Sequence, residues 1–106
     1  MAFDEALAER VRDALPGHAT EKRMFGGLCF LDRGNMVCGI VGDDLMLRLG
    51  ADAEAALAEP HARPMDFTGR PMKGMVFVAP EGVADDSQLR DWVGRALAFT
   101  ASLPAK

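Results

Sequence analysis

The chain has 106 residues, 49% hydrophobic and 26% charged, a balance that excludes a wholly disordered, collagen-like or coiled-coil protein. One core is expected at that length, a single domain over residues 1–106, which excludes an enzyme with separate cofactor and substrate lobes. Twelve Lys and Arg against sixteen Asp and Glu leave a net charge of −4, which argues against a strongly basic nucleic-acid-binding domain.

The opening Met1-Ala2-Phe3-Asp4-Glu5 is acidic and lacks the basic stretch and apolar run of a secretory signal. No window approaches the roughly 18 consecutive apolar residues of a membrane helix, so a cytoplasmic protein without membrane association is expected. Over residues 3–15, Phe3, Leu7, Val11, Ala14 and Leu15 recur at helical spacing, with acidic and basic residues on the other side, which predicts an amphipathic helix. Pro16-Gly17 ends it, because proline lacks the amide hydrogen and glycine accepts the angles of a reversal. Apolar runs at 28–31, 36–41 and 45–49 follow, broken by Asp32-Arg33-Gly34-Asn35 and Gly42-Asp43-Asp44, and predict a three-stranded meander. In the third run Leu45, Leu47 and Leu49 alternate with Met46 and Arg48, which places Arg48 on the less buried face.

Asp52 is expected to cap a short Ala-rich helix through residue 58, closed by Pro60. Residues 65–67 and 75–79 predict two further strands around the loop Thr68-Gly69-Arg70-Pro71-Met72-Lys73-Gly74. Asp85 with Gln88 forms a capping box for the last helix, whose inward stripe is Leu89, Trp92, Val93, Ala96, Leu97, Thr100 and Leu103. The order α-β-β-β-α-β-β-α predicts an α+β fold of two layers, a largely antiparallel sheet of about five strands with helices packed on one face. The first runs are apolar on both faces, Leu28 and Phe30 against Cys29 and Leu31, so a homodimer is expected to cover what helices do not.

No G-x-S-x-G, H-E-x-x-H or phosphate-loop pattern occurs, the only serines are Ser87 and Ser102, and tyrosine is absent. Hence no catalytic residue, cofactor or metal site is assigned. His18 and His61 fall in predicted loops without a ligand partner one helical turn away. If Arg33-Gly34 is a hairpin tip, Asp32 faces Asn35, Leu31 faces Met36 and Cys29 faces Cys38, within disulfide reach. That makes Cys29 and Cys38 a candidate redox pair, against the plainer reading of two buried thiols in a reducing cytosol.

Among the cations, Lys22-Arg23 precede Met24-Phe25-Gly26-Gly27, Arg48 projects from a strand, and Arg63, Arg70 and Lys73 flank the second loop. Convergence of these groups beside glycine-rich backbone would suit phosphate, carboxylate or an acidic partner. Lys22, Arg23, Arg48, Arg70 and Lys73 are therefore the candidate contact residues. The alternative is ordinary surface charge, for example Arg63 or Arg70 paired with Asp66. Gly26-Gly27 equally fits a bulge or a close approach of two backbones. The seven methionines fit core filling more readily than an adaptable binding surface.

The run Ala19-Thr20-Glu21-Lys22-Arg23-Met24-Phe25-Gly26-Gly27-Leu28-Cys29-Phe30 resembles the TfoX amino-terminal domain family. So do Gly34-Asn35-Met36, Leu47-Arg48-Leu49-Gly50, Arg63-Pro64-Met65-Asp66-Phe67, Thr68-Gly69-Arg70-Pro71-Met72-Lys73-Gly74, Trp92-Val93 and Ala96-Leu97-Ala98-Phe99. The resemblance implies a secretion-chaperone-like fold, with helices against a bent antiparallel sheet. It also implies kinship with bacterial competence regulators, which assist a DNA-bound activator of transcription, and it supplies no established catalytic residues. The best-known members carry a second, carboxy-terminal helical domain, whereas this sequence reaches Lys106 just after its last predicted helix, so a stand-alone domain is expected. The expected function is a non-enzymatic protein-interaction module with a protein partner. The alternatives are direct nucleic-acid binding through the same cations, or a small-molecule or enzyme role near Gly26-Gly27 and the loop at 69–74.

Overall fold

A computed structural model describes residues 4–17, 19–24, 26–64 and 74–104. The chain runs through helix α1 (Glu5–Ala14) and strands β1 (Thr20–Met24), β2 (Gly27–Asp32), β3 (Asn35–Val41) and β4 (Asp44–Arg48). A 3-10 turn at Gly50–Asp52 leads into the short helix α2 (Ala53–Ala56). Strands β5 (Ala62–Pro64) and β6 (Met75–Val78), a second 3-10 turn at Pro80–Val83 and helix α3 (Asp86–Ala101) complete it. The fold is α+β, an open six-stranded sheet in the order β1-β2-β3-β4-β6-β5 with antiparallel pairing throughout.

Helix α1 starts at residue 5 because the Asp4 carboxylate accepts from the amides of Ala6 and Leu7 at 2.9 and 3.2 Å, satisfying two donors that the helix itself leaves open. Before α3 the Asp85 amide donates to Gln88 Oε1 at 3.1 Å, one half of the expected capping box. Asp52 behaves differently. It stands at the start of α2 with helical angles, φ −79° and ψ −7°, and makes no side-chain cap, because the 3-10 turn feeds the helix without the extended residue a cap requires.

Leu7, Ala8 and Val11 of α1 meet Leu89, Trp92, Val93 and Ala96 of α3 over Leu28, Phe30, Cys38, Ile40, Leu45, Leu47, Val76 and Val78 of the sheet. Ala53 and Ala56 of α2 join this core, so all three helices lie on one face. Burial of its large side chains contributes about 1.5–3 kcal/mol each. Cys29, Met46, Met75 and Phe77 form a second buried cluster on the other face, assembled among the described residues from strands alone. The Leu45, Leu47 against Met46 alternation thus separates the two faces as the sequence indicated.

Two polar clasps close the helical layer. Arg10 donates to the Val83 carbonyl at 2.6 Å and to Asp86 at 3.0 Å, tying α1 to the start of α3. Arg33 at the β2–β3 tip donates to the Thr100 carbonyl at 3.0 Å and Asn35 to the Pro104 carbonyl at 2.8 Å. Thr100 lies in the last turn of α3, where a guanidinium is favoured by the helix dipole, and Pro104 lies just beyond the helix. Among the described residues no helix is long and apolar enough to cross a membrane.

Strand β5 forms at Ala62–Pro64, ahead of the strand expected at 65–67, and a further, sixth strand is β1. Thr20, Glu21, Lys22 and Arg23 are all exposed, so it carries none of the apolar alternation that identifies a strand in sequence. The predicted strand at 65–67 and the loop from 68 to 73 lie outside the described residues.

Candidate functional site

The sheet register sets Lys22 beside Cys29, Cys29 beside Gly39, Gly39 beside Met46, Met46 beside Phe77 and Phe77 beside Arg63. Directly paired residues in an antiparallel sheet share a face, so these six form one row across the side away from the helices. A cation stands at each end and apolar side chains fill the middle. In the neighbouring row Thr20 pairs with Leu31 and Leu31 with Met36, and on β4 Arg48 pairs with Met75. The centre of this face is closed, with Cys29 and Met46 fully buried. Among the described residues its accessible part includes the exposed Thr20, Lys22 and Arg63 and the half-buried Leu31, Met36 and Arg48.

Lys22 and Arg48 therefore share a face, but β2 and β3 lie between their strands, roughly 14 Å of lateral separation at about 4.8 Å per strand. They do not converge on one small anion. Arg23 pairs with Leu28, a core residue of the helical side, and so points to the other face. Arg48 lies 5.6 Å from the Phe99 ring centroid, and neither it nor Lys22 has an ion pair among the described residues. Arg70 and Lys73 lie outside the described residues. Arg63 pairs with Asp44 at 2.6 Å and lies 5.0 Å from the Phe77 ring centroid; Asp66, its expected partner, is likewise outside them.

The cysteine pair requires a correction. The hairpin opens as expected, Asp32 opposite Asn35 and Leu31 opposite Met36, but Phe30 then faces Cys38 and Cys29 faces Gly39. A β-bulge at Val37 inserts one residue into β3, and a one-residue offset turns every later side chain to the opposite face. Cys38 consequently lies in the helical core and Cys29 in the second cluster. They do not form the facing pair that a disulfide needs. Both are free, and burial pushes both thiols up from their ordinary range.

The glycine pair is explained by backbone geometry. Gly26 has φ +72°, the left-handed turn between β1 and β2, and a Cβ on Gly27 would run into the Ile40 carbonyl of β3. A cavity of about 260 Å³ between α2 and α3 is lined by Leu49, Asp52, Ala55, Ala56, Glu59 and Arg95. Its guanidinium is already taken, since Arg95 bonds Glu59 at 2.6 and 3.1 Å and lies 4.6 Å from the Trp92 ring centroid. Among the described residues no cluster of three or more His, Cys, Asp or Glu side chains could hold a metal ion.

Besides the position of β5, sequence reasoning missed β1 as a strand and Asp44 as the partner of Arg63. The first had a signal, two residues including a glycine between Met24 and the apolar run at Gly27. The second had none, because β5 is three residues long and its partner lies far away in sequence.

A family model described as the TfoX N-terminal domain matches residues 9–100, a span that takes in all six strands. No curated protein and no solved structure matches the chain.

Proposed function

Because the chain belongs to the TfoX N-terminal domain family, we propose that it is a non-enzymatic protein-interaction module acting in bacterial transcription regulation in the cytoplasm. The observation that supports this reading is the face away from the helices. Lys22 stands there, and Arg48 shares the face by register while its guanidinium reaches the Phe99 ring of α3; neither has an ion-pair partner among the described residues, and half-buried Leu31 and Met36 lie on the strands between them. Such a patch suits a protein segment with acidic groups set apart by apolar side chains rather than one compact anion. Arg70 and Lys73 belong to the proposed contact set by their place in the sequence.

Affinity capture from bacterial lysate tests it, with the wild-type chain beside a Lys22→Glu, Arg48→Glu double variant and with nuclease in every arm. A nuclease-resistant protein retained by the wild type and lost by the variant is the expected result. Equal retention by both removes this face from the interaction. A partner that disappears with nuclease transfers the reading to nucleic acid, whose phosphate-dominated binding weakens steeply with salt.

A further inference from the structure

We propose that β1 is a dimerisation edge, pairing antiparallel with β1 of a second copy about a two-fold axis through Lys22, so that the two sheets continue as one. The inference uses the open edge of the sheet and does not depend on the acidic-partner reading. β1 is the first strand in the sheet order and, among the described residues, has a neighbour on one side only. Its side chains from Thr20 to Arg23 are all exposed.

The hydrogen-bonding direction follows from the hairpin. Met24 pairs with Gly27 across two intervening residues, and so short a connection leaves only the pair type that exchanges both backbone bonds. Alternation along the ladder gives the same type to Lys22 with Cys29 and to Thr20 with Leu31. Those residues turn their amides and carbonyls toward β2. Glu21 and Arg23 turn theirs toward the open edge.

A two-fold axis through Lys22 sets Glu21 of each copy opposite Arg23 of the other. Each of these two pairs exchanges two backbone hydrogen bonds, four in all, and each matches opposite charges. A register centred on Glu21 or on Arg23 forms no opposite-charge pair and sets like charges at the axis. Centring on Lys22 also uses all five residues of the strand and keeps both helical layers on the same side. Glu21 accepts from Arg12 of α1 at 2.5 and 2.8 Å, and a carboxylate has lone pairs left for a second guanidinium. The two Lys22 side chains are the one unfavourable contact. They lie on the exposed face, where long stems diverge into solvent.

The test is sedimentation equilibrium of the full chain, with circular dichroism to confirm folding of each variant. The wild type is expected to approach twice the 11.4 kDa of one chain as concentration rises. Glu21→Arg and Arg23→Glu should each associate at least roughly tenfold more weakly, because each sets two like charges face to face. Mixing these two variants should restore a dimer, since each then meets its complement. Arg23→Pro removes an amide aimed at the open edge and leaves the β1–β2 ladder intact, so it should fold and remain monomeric. Lys22→Thr should tighten association. A wild type that stays monomeric at its highest soluble concentration overturns the proposal. So does a dimer indifferent to Arg23→Pro and to both charge reversals.

Discussion

Native protein treated with oxidant should form no Cys29–Cys38 disulfide, and its thiols should resist labelling until the chain unfolds. Both sulfur-bearing residues are 0% exposed, and the bulge at Val37 sets them on opposite faces of the sheet. Burial also holds both thiols protonated, whereas the thiolate is the attacking species. Reaction must therefore pass through opening of the fold. For a domain stable by about 5 kcal/mol the open fraction is on the order of 10⁻⁴, so labelling should run at least about a thousandfold slower than in denaturant. The assay is timed alkylation at pH 8 with intact-mass readout, in buffer and in guanidinium, before and after a thiol oxidant. The same burial makes stability fall in alkali. Unfolded thiols ionise near pH 8.5 while the folded ones stay protonated, so above that pH the unfolded state binds fewer protons and is favoured. A native mass loss of about two hydrogens, or labelling of either cysteine at the denatured rate, would refute the bulged register.

Gly27→Ala should destabilise by about 3 kcal/mol, because the added Cβ meets the backbone carbonyl of Ile40 rather than a movable side chain. A melting temperature within about 2 °C of wild type contradicts that contact. Asn35→Ala removes the donor to the Pro104 carbonyl and should cost about 1 kcal/mol, with faster amide exchange at the end of α3; unchanged exchange would remove the clasp. Arg12 holds the Glu21 carboxyl below its ordinary range through their hydrogen bonds. That contribution is present above the unfolded carboxyl pKa of about 4.3 and is lost as pH falls through the lower folded value. Because both side chains are more than a third exposed, Glu21→Gln should lower stability at pH 7 by less than about 1 kcal/mol. The variant should also flatten the acid limb of a pH-dependent melting series, and an identical acid limb contradicts the pairing.

The helices and the inner strands were readable because their residues carry burial as a period. The stripe Leu89, Trp92, Val93, Ala96 in α3 and the Leu45, Leu47 against Met46 alternation in β4 each state a face directly. What stayed hidden depends on partners rather than on local pattern. β1 is a strand through its ladder with β2, and an exposed edge has no apolar face to display. The Val37 bulge was invisible for a sharper reason. Val37 and Cys38 are both small enough and apolar enough to be buried, and both are fully buried, so hydrophobicity does not choose between a regular and an offset register. That one offset decided whether the cysteines met. The face of Arg48 was readable from its alternation with Leu47 and Leu49, but the arrangement of the cations was not, since the faces of Lys22 and Arg23 follow from the pairing of β1 with β2.

The two proposals meet at Lys22, and their combination has a thermodynamic consequence. In the two-fold arrangement both Lys22 side chains lie at the axis on the exposed face, where their mutual repulsion opposes association. A partner that places an acidic group between them removes that repulsion only in the dimer. By linkage, whatever factor such a partner gains from dimerisation, dimerisation gains from the partner. The lysine at the centre of the edge then has a physical rationale that Thr or Val would not supply. It weakens the unliganded pairing, as charged residues on open edges commonly do, and lets an acidic ligand strengthen a sheet that already forms at high concentration. Sedimentation with and without the captured partner measures this directly. For the wild type the partner should raise the dimer fraction. In Lys22→Thr the dimer should form at lower concentration than in the wild type and gain little from the partner's presence.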